Sequence, residues 1–117
     1  MSTTTFAELR ASVFEFVALI PRGKVTTYKQ LALASGTGPR VIGKILHTNT
    51  DTINYPCHRV VRSDGTVASG YAFGGPNAQL QLLSREGVEI GDGKINLELF
   101  LWAPLIQIGK KAKNTQE

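Results

Sequence analysis

The stretch "TTYKQLALASGTGPRVIGKIL" (26–46) decides the fold of this 117-residue chain. Thr27 and Gln30 are placed to cap a short helix, "YKQLALA", which we expect to end at Gly36. Pro39 is suited to a first helical turn and starts another helix, "PRVIGKILHTN". Two short helices that are joined by a glycine-containing turn predict a helix-turn-helix.

Residues 5–20 predict the longest helix, directly upstream of this motif. Thr5 and Glu8 have the spacing of a capping box, which marks a helix start. One apolar face repeats at three- and four-residue spacing, as the core side of a helix does. That face consists of Phe6, Leu9, Val13, Phe16, Val17 and Ile20.

Downstream of the motif, "HRVVRSDGTVAS" predicts a small hairpin that turns at Asp64 and Gly65. A fourth helix is expected from Pro76 to Glu86, with Gly87 as its stop. The segment "INLELFLWAP" alternates like a short strand, although a helix is the alternative. The sequence thus predicts a mainly α, winged-helix-like domain: three helices with a helix-turn-helix, a β-hairpin wing and a further C-terminal helix.

Composition predicts one intracellular domain over 1–108, followed by a basic, disordered tail at 109–117. No run reaches the roughly 18 apolar residues of a membrane span, and the N-terminus lacks the pattern of a signal peptide. A single cysteine cannot form an internal disulfide, which favours a reducing compartment. We therefore expect the nucleus in a eukaryote or the cytoplasm in a prokaryote, and no membrane association.

Charge and helix composition point to a DNA partner. The net charge of +4 and the pI near 9.5 suit a nucleic-acid-binding domain. The third helix carries only two cations, Arg40 and Lys44, and its other residues, such as Gly43, are small or apolar. Such a face suits close contact with the minor groove better than the reading of base edges in the major groove. We expect two of its three β-branched residues to be core. Those residues are Val41, Ile42 and Ile45.

The only cysteine, Cys57, lies between a proline and a histidine in "YPCHRVV". A lone cysteine is usually a small buried hydrophobe, but a histidine beside it favours a reactive thiol. Together with His47, which we expect at a helix end on the surface, Cys57 and His58 are too few soft ligands for a four-ligand structural zinc site. We therefore expect no metal and no cofactor.

Two motifs, "PCHRVVRSDG" (56–65) and "SGY" (69–71), resemble the active-site signature of the O6-alkylguanine-DNA alkyltransferases, which repair alkylated guanine in DNA. The resemblance runs from about Phe6 to Ile90 and corresponds to the C-terminal, active domain of that family. It implies an enzyme that acts once: an alkyl group passes irreversibly from O6-alkylguanine to a cysteine after the base is flipped out. The implied partner is double-stranded DNA bound through its minor groove by a monomer.

The resemblance also implies roles for individual residues. Cys57 matches the alkyl acceptor, and His58 matches the base that takes its proton through a bridging water. Glu86 matches the carboxylate behind that histidine, in the manner of a triad acid. Asn49 matches the asparagine that connects the active-site loop to the helix-turn-helix.

The remaining implied residues contact the DNA or the flipped base. Arg40 matches the arginine finger that replaces the extruded nucleotide, and the neighbouring Gly43 and Lys44 complete the expected DNA-binding surface. Tyr28 matches the tyrosine beside the flipped base and its 3′ phosphate, with a catalytic role as proton donor. The residues implied for the base pocket are Tyr71, Val60 and Ala72.

Three alternatives stay open from the sequence. The chain also resembles alkyltransferase-like proteins, which bind alkylated bases without repairing them and usually carry tryptophan where Cys57 stands. A winged-helix DNA binder without chemistry and a cysteine hydrolase are the other two, although no oxyanion-hole motif is evident for a hydrolase. The loop "TDTINY" (50–55) lacks the prolines of many alkyltransferases, which leaves the size of the accepted alkyl group open.

Overall fold

The computed structural model describes residues 5–68 and 74–104, and this part of the chain is mainly helical. Its architecture confirms the predicted mainly α class. None of its helices is long and apolar enough to cross a membrane. The elements are α1 (Phe6–Leu19), β1 (Thr26–Thr27), α2 (Tyr28–Ser35), α3 (Pro39–Leu46), a 3-10 turn (Cys57–Arg59), β2 (Val60–Val61), α4 (Gly75–Arg85), β3 (Ile90–Gly91), β4 (Lys94–Ile95) and α5 (Leu97–Phe100).

The ends of the first two helices confirm the predicted caps. Thr5 Oγ1 accepts a hydrogen bond from the backbone N–H of Glu8 at 3.1 Å, which satisfies a donor of the first turn of α1. Thr27 Oγ1 accepts likewise from the N–H of Gln30 at 3.0 Å, at the start of α2. Gly36 ends α2 in the left-handed conformation (φ 74°), which glycine adopts without steric cost.

The helix-turn-helix is confirmed, with α2 and α3 packed together over α1. Ile42 and Ile45 are fully buried, as expected for two of the three β-branched residues in α3. The third helix ends at Leu46, three residues before the predicted end. The N–H groups of Thr48 and Asn49 turn back to the carbonyls three residues earlier, and these bonds close the helix.

The predicted hairpin after the cysteine is wrong. β2 instead pairs in parallel with β1, so that Thr26 faces Val60 and Thr27 faces Val61. Both valines are fully buried, whereas one face of a projecting hairpin would reach water. Pairing with β1 removes both side chains from solvent.

The turn predicted at Asp64 and Gly65 does form, but it packs against β4 and does not project as a wing. The N–H of Ile95 donates to the carbonyl of Gly65 at 2.9 Å. A Cβ at Gly65 would lie 2.4 Å from the carbonyl oxygen of Ile95, so this contact requires glycine. The small hairpin of the described residues is β3–β4. Its turn is Asp92-Gly93, a dipeptide that suits a two-residue hairpin loop.

Two buried clusters lie on either side of β2. The first contains the inner faces of α1, α2 and α3 together with Cys57 and Val60. The second contains Val61, Leu83 from α4 and residues around the β3–β4 hairpin. Because successive residues of a strand point to opposite sides, the two valines of β2 join the clusters. The cysteine therefore lies where the helix-turn-helix meets the C-terminal half.

Candidate functional site

Cys57 begins the 3-10 turn Cys57–Arg59, here called the Cys57 turn. Its N–H donates to the carbonyl of Tyr55 at 2.8 Å, and the N–H of Arg59 donates to the carbonyl of Pro56 at 3.0 Å. Proline fixes one backbone angle of the residue before the cysteine. The cysteine is only 6% exposed, so its position is set by the local backbone and by the first cluster.

Asn49 connects the end of α3 to the loop before Cys57. Its Nδ2 donates to the carbonyl of Tyr55 at 2.8 Å, and its Oδ1 accepts from the N–H of Asp51 at 2.9 Å. Burial raises the pKa of the Cys57 thiol above its usual value, and a hydrogen bond with Asn49 opposes part of that rise. The thiol is therefore protonated near pH 7 and needs a base before it can act as a nucleophile.

Glu86 binds two side chains of the Cys57 turn. Its Oε1 lies 3.0 Å from Nε2 of His58, the pair that the resemblance implied. The guanidinium of Arg59 donates to both carboxylate oxygens, at 2.9 Å from Nε and 2.7 Å from Nη2. Arg59 also donates from Nη1 to the carbonyl of Ile20 at the end of α1 (2.8 Å). One carboxylate thus ties α4, the Cys57 turn and α1 together.

The electrostatics of this cluster define the state of His58. Burial alone would raise the pKa of Glu86, but hydrogen bonds and positive charge from Arg59 and His58 outweigh it, so this pKa lies below the usual value. Burial lowers the pKa of His58, and the hydrogen bond and charge of Glu86 offset only part of that effect. Since an ionised carboxylate can only accept, Nε2 of the neutral ring carries the proton and Nδ1 carries the lone pair. The ring is therefore ready to accept a proton at Nδ1.

Tyr28, the first residue of α2, packs against the cluster that contains Cys57. Burial and the negative charge of the Cys57 thiolate raise the pKa of Tyr28, and Arg62 opposes this in part. The phenol stays protonated at neutral pH and can donate a hydrogen bond. The structure thus brings together five of the predicted residues. They are Tyr28, Asn49, Cys57, His58 and Glu86.

The predicted DNA-binding residues share one face of α3. Arg40, Gly43 and Lys44 are three and four residues apart, which places them side by side on a helix. Both cations are exposed. A Cβ at Gly43 would meet no atom within 4 Å, so the surface between the cations is open.

Only one of the three residues predicted for the base pocket lies in the described part of the chain. Tyr71 and Ala72 lie outside the described residues, as does the predicted tail at 109–117. Val60 is fully buried, so its side chain belongs to the core. In the described part of the chain, no three His, Cys, Asp or Glu side chains form a group that could bind a metal ion.

Two residues at the site were not predicted from the sequence. Arg59 lies within the cysteine motif, directly before a buried strand. An arginine at such a position requires a carboxylate partner, and this could have predicted its ion pair from the sequence. Gln79 is 1% exposed on α4 and donates from Nε2 to the carbonyls of His58 (2.9 Å) and Val60 (3.0 Å). Its place four residues before the buried Leu83, on the apolar face of the helix, was the indication there.

Comparison with known proteins identifies the family. The sequence model of the family described as "6-O-methylguanine DNA methyltransferase, DNA binding domain" matches residues 8–88. This chain therefore belongs to that family, as the motif resemblance predicted.

Two relatives and two solved structures extend this finding. A "Bifunctional methyltransferase/endonuclease" of Picrophilus torridus is 37% identical over 95 residues, which are 80% of this chain and 31% of that protein. A "Methylated-DNA--protein-cysteine methyltransferase" of Saccharolobus islandicus is 46% identical over 81 residues, which are 69% of this chain and 52% of that protein. The chain thus spans between about a third and a half of the length of these relatives.

The structure of S. pombe Atl1 in complex with damaged DNA containing O6-carboxymethylguanine resembles this fold with a TM-score of 0.75 at 32% identity. It covers 89% of this chain and 100% of that one. The O6-methylguanine-DNA methyltransferase from Pyrococcus kodakaraensis gives a TM-score of 0.59 at 39% identity, over 68% of this chain and 46% of that one. Both likenesses include the helical fold that carries the site.

The pKa of His58 predicts how stability depends on pH. Because the folded-state pKa of His58 lies below its unfolded value near 6.5, the unfolded chain binds a proton that the folded chain resists. The free energy of unfolding should therefore fall as the pH drops from 7.5 to 5.5. Urea denaturation at these two pH values should show the loss in the native chain and only a small remainder in His58→Gln.

The exposed His47 supplies the matched control, since the chain has two histidines. His47→Gln should keep the pH dependence of the native chain. An unchanged pH dependence in His58→Gln would contradict the assignment of His58 as a buried, neutral ring.

Proposed function

We propose that this chain repairs O6-alkylguanine in double-stranded DNA by transferring the alkyl group to Cys57. The observation that carries the proposal is the 3.0 Å contact between Nε2 of His58 and Glu86, in the same turn as the only cysteine. Together with family membership and the name of the S. islandicus relative, this arrangement supports a thiol that acts as a reagent. A thiolate is the soft nucleophile that attack on an alkyl carbon requires.

The transfer consumes one thiol and one lesion. Nδ1 of His58 accepts the thiol proton through a bridging water, and Glu86 stabilises the resulting imidazolium, as the acid of a triad does. The thiolate Sγ of Cys57 attacks the alkyl carbon, a carbon–sulfur bond forms, and the bond from that carbon to guanine O6 breaks with its electron pair. The guanine anion takes up one proton and returns as guanine, while the protein retains a thioether.

Tyr28 is positioned to supply the proton as charge develops on the leaving base. Its phenol is held in the protonated form by burial, and by the charge of Cys57 once the thiolate has formed. A donor that points at developing negative charge lowers the barrier because the interaction is stronger in the transition state than in the ground state. The proton that His58 took from the thiol then returns through solvent to the Tyr28 phenolate, so both side chains regain their starting protonation states.

The target base must leave the duplex before it can reach a thiol that is 6% exposed. Extruding a nucleotide costs a few kcal/mol, and a side chain that fills the gap offsets part of that cost. Arg40 is exposed at the start of α3, beside the open surface at Gly43. We therefore assign α3 to the minor groove, with Arg40 in the vacated space and Lys44 on a phosphate.

A non-repairing lesion sensor is the second candidate. The alignment with this chain covers the whole of the S. pombe Atl1 structure, and its TM-score is higher than that of the P. kodakaraensis methyltransferase. Sensors of that kind usually carry tryptophan at the position of Cys57. A sensor needs a pocket and a DNA surface, but it does not need a thiol beside a histidine and carboxylate. The presence of all three groups favours transfer.

Intact-protein mass measurement after incubation with excess O6-methylguanine duplex tests the proposal. We expect a gain of one methyl group per chain, assigned to Cys57 by peptide mapping, followed by no further turnover, because a thioether does not revert to a thiol. Cys57→Ser should still bind the lesion duplex and should gain nothing, since its hydroxyl stays protonated near pH 7.

The same measurement distinguishes the other candidates. An unmodified protein that binds the duplex tightly while the lesion stays intact would contradict transfer and support the sensor. Repeated turnover would contradict both and require a hydrolytic step.

Comparison of Arg40→Ala with Lys44→Ala tests the assignment of α3. Both variants remove one cation from the same helix face, so each should weaken DNA binding, and Lys44→Ala should reduce the salt dependence by about one phosphate contact. Only Arg40→Ala should slow transfer from saturating duplex, because only that side chain fills the gap. Neither variant should slow attack on free O6-benzylguanine. Equal transfer rates for the two variants on saturating duplex would contradict the finger role.

A further inference from the structure

Gln79 is an almost completely buried polar side chain beside the Cys57 turn, and neither the family resemblance nor the transfer mechanism gives it a role. It lies in the middle of α4 and is 1% exposed. Its Nε2 donates to the carbonyl of His58 at 2.9 Å and to that of Val60 at 3.0 Å. An amide nitrogen has two protons, and this geometry uses both.

These two hydrogen bonds connect α4 to the backbone of the Cys57 turn and of β2. The N–H groups of Cys57 and Arg59 bond locally within the chain, to Tyr55 and Pro56. The carbonyls of His58 and Val60 instead receive their donors from α4. A buried carbonyl without a donor is costly, so the backbone direction at His58 follows the position of the Gln79 amide.

Glu86 is the C-cap of α4 and lies seven residues, or about two helical turns, after Gln79. Glu86 contacts the ring of His58, and Gln79 contacts its backbone. One helix therefore fixes His58 at two points. With its backbone and Nε2 both fixed, the direction of Nδ1 is also fixed.

We propose that Gln79 is a positioning residue for alkyl transfer, which sets the mutual orientation of Cys57 and His58 through the backbone of the Cys57 turn. The inference rests on the proposed function, and it concerns the rate of transfer from bound lesion, with no direct contact to DNA. An error of about 1 Å in the placement of reacting groups can cost on the order of 100-fold in rate.

Gln79→Met removes both donors and keeps an unbranched side chain of similar length. The matched control is Gln81→Met, an exposed position on the same helix. We expect Gln79→Met to transfer on the order of 10- to 100-fold more slowly from saturating O6-methylguanine duplex, with duplex affinity within about threefold of the native chain. Gln81→Met should match the native chain in both. Equal factors of loss in rate and affinity, or no loss in rate, would overturn the proposal.

A rescue variant separates positioning from packing. Gln79→Lys provides N–H donors at a similar reach, so it should transfer faster than Gln79→Met. A rate no faster than that of Gln79→Met in a folded protein would overturn the proposal. If Gln79→Met does not fold, Gln79→Asn carries the same test, because its amide is one methylene shorter and cannot reach both carbonyls.

Two readouts do not depend on activity, so failure of the proposed function can be distinguished from failure of this inference. Ring nitrogen shifts of His58, with His47 as the internal reference, should show the Nε2-protonated tautomer in the native chain and a mixture in Gln79→Met. Iodoacetamide reacts with the single cysteine, and its rate should change in Gln79→Met and remain native in Gln81→Met. A native chain without transfer activity would refute the function alone, whereas unchanged shifts and unchanged thiol reactivity in Gln79→Met would refute the positioning role.

Discussion

The site depends on the contacts that the carboxylate of Glu86 makes with Arg59 and His58. This carboxylate accepts from Arg59 through two hydrogen bonds of 2.9 and 2.7 Å and lies 3.0 Å from His58. Arg59 and Glu86 are mostly buried, with side chains 15% and 9% exposed, and taking such charges out of water is costly unless they are paired. Removal of one partner would leave the other charge unpaired and mostly out of water, so this contact stabilises the fold.

This pairing joins two halves of a small domain at the turn that carries Cys57. Arg59 also donates a hydrogen bond to the carbonyl of Ile20, the C-cap of α1. The helix-turn-helix half and the α4 half therefore meet at the Cys57 turn. The parallel pair β1–β2 makes the same connection through the backbone. The end of α3 is connected to the residues before the turn through Asn49. Contacts from the end of α3 and from α4 therefore meet around the Cys57 turn.

The sequence predicted the helices well because each has a local cause. Helix caps and starts depend on contacts within a few residues, as at Thr5, Thr27, Gly36 and Pro39. It failed at Val60 and Val61, because a strand of two residues carries no record of its partner and β1 lies more than thirty residues upstream. The contact of Glu86 with His58 came from family resemblance alone. Gln79 was missed because a glutamine on a helix is usually exposed. Only the folded chain shows the two backbone carbonyls that accept hydrogen bonds from its buried side chain.

In the proposed mechanism, Glu86 promotes alkyl transfer through His58. A double-mutant cycle on the single-turnover transfer rate, with His58→Ala, Glu86→Gln and both together, measures that coupling directly. Glu86→Gln keeps the shape of the side chain and removes its charge, so it should slow transfer when His58 is present. In the His58→Ala background the same change should leave the rate within about threefold, because the group that Glu86 supports is absent. Loss by the same factor in both backgrounds would contradict the account.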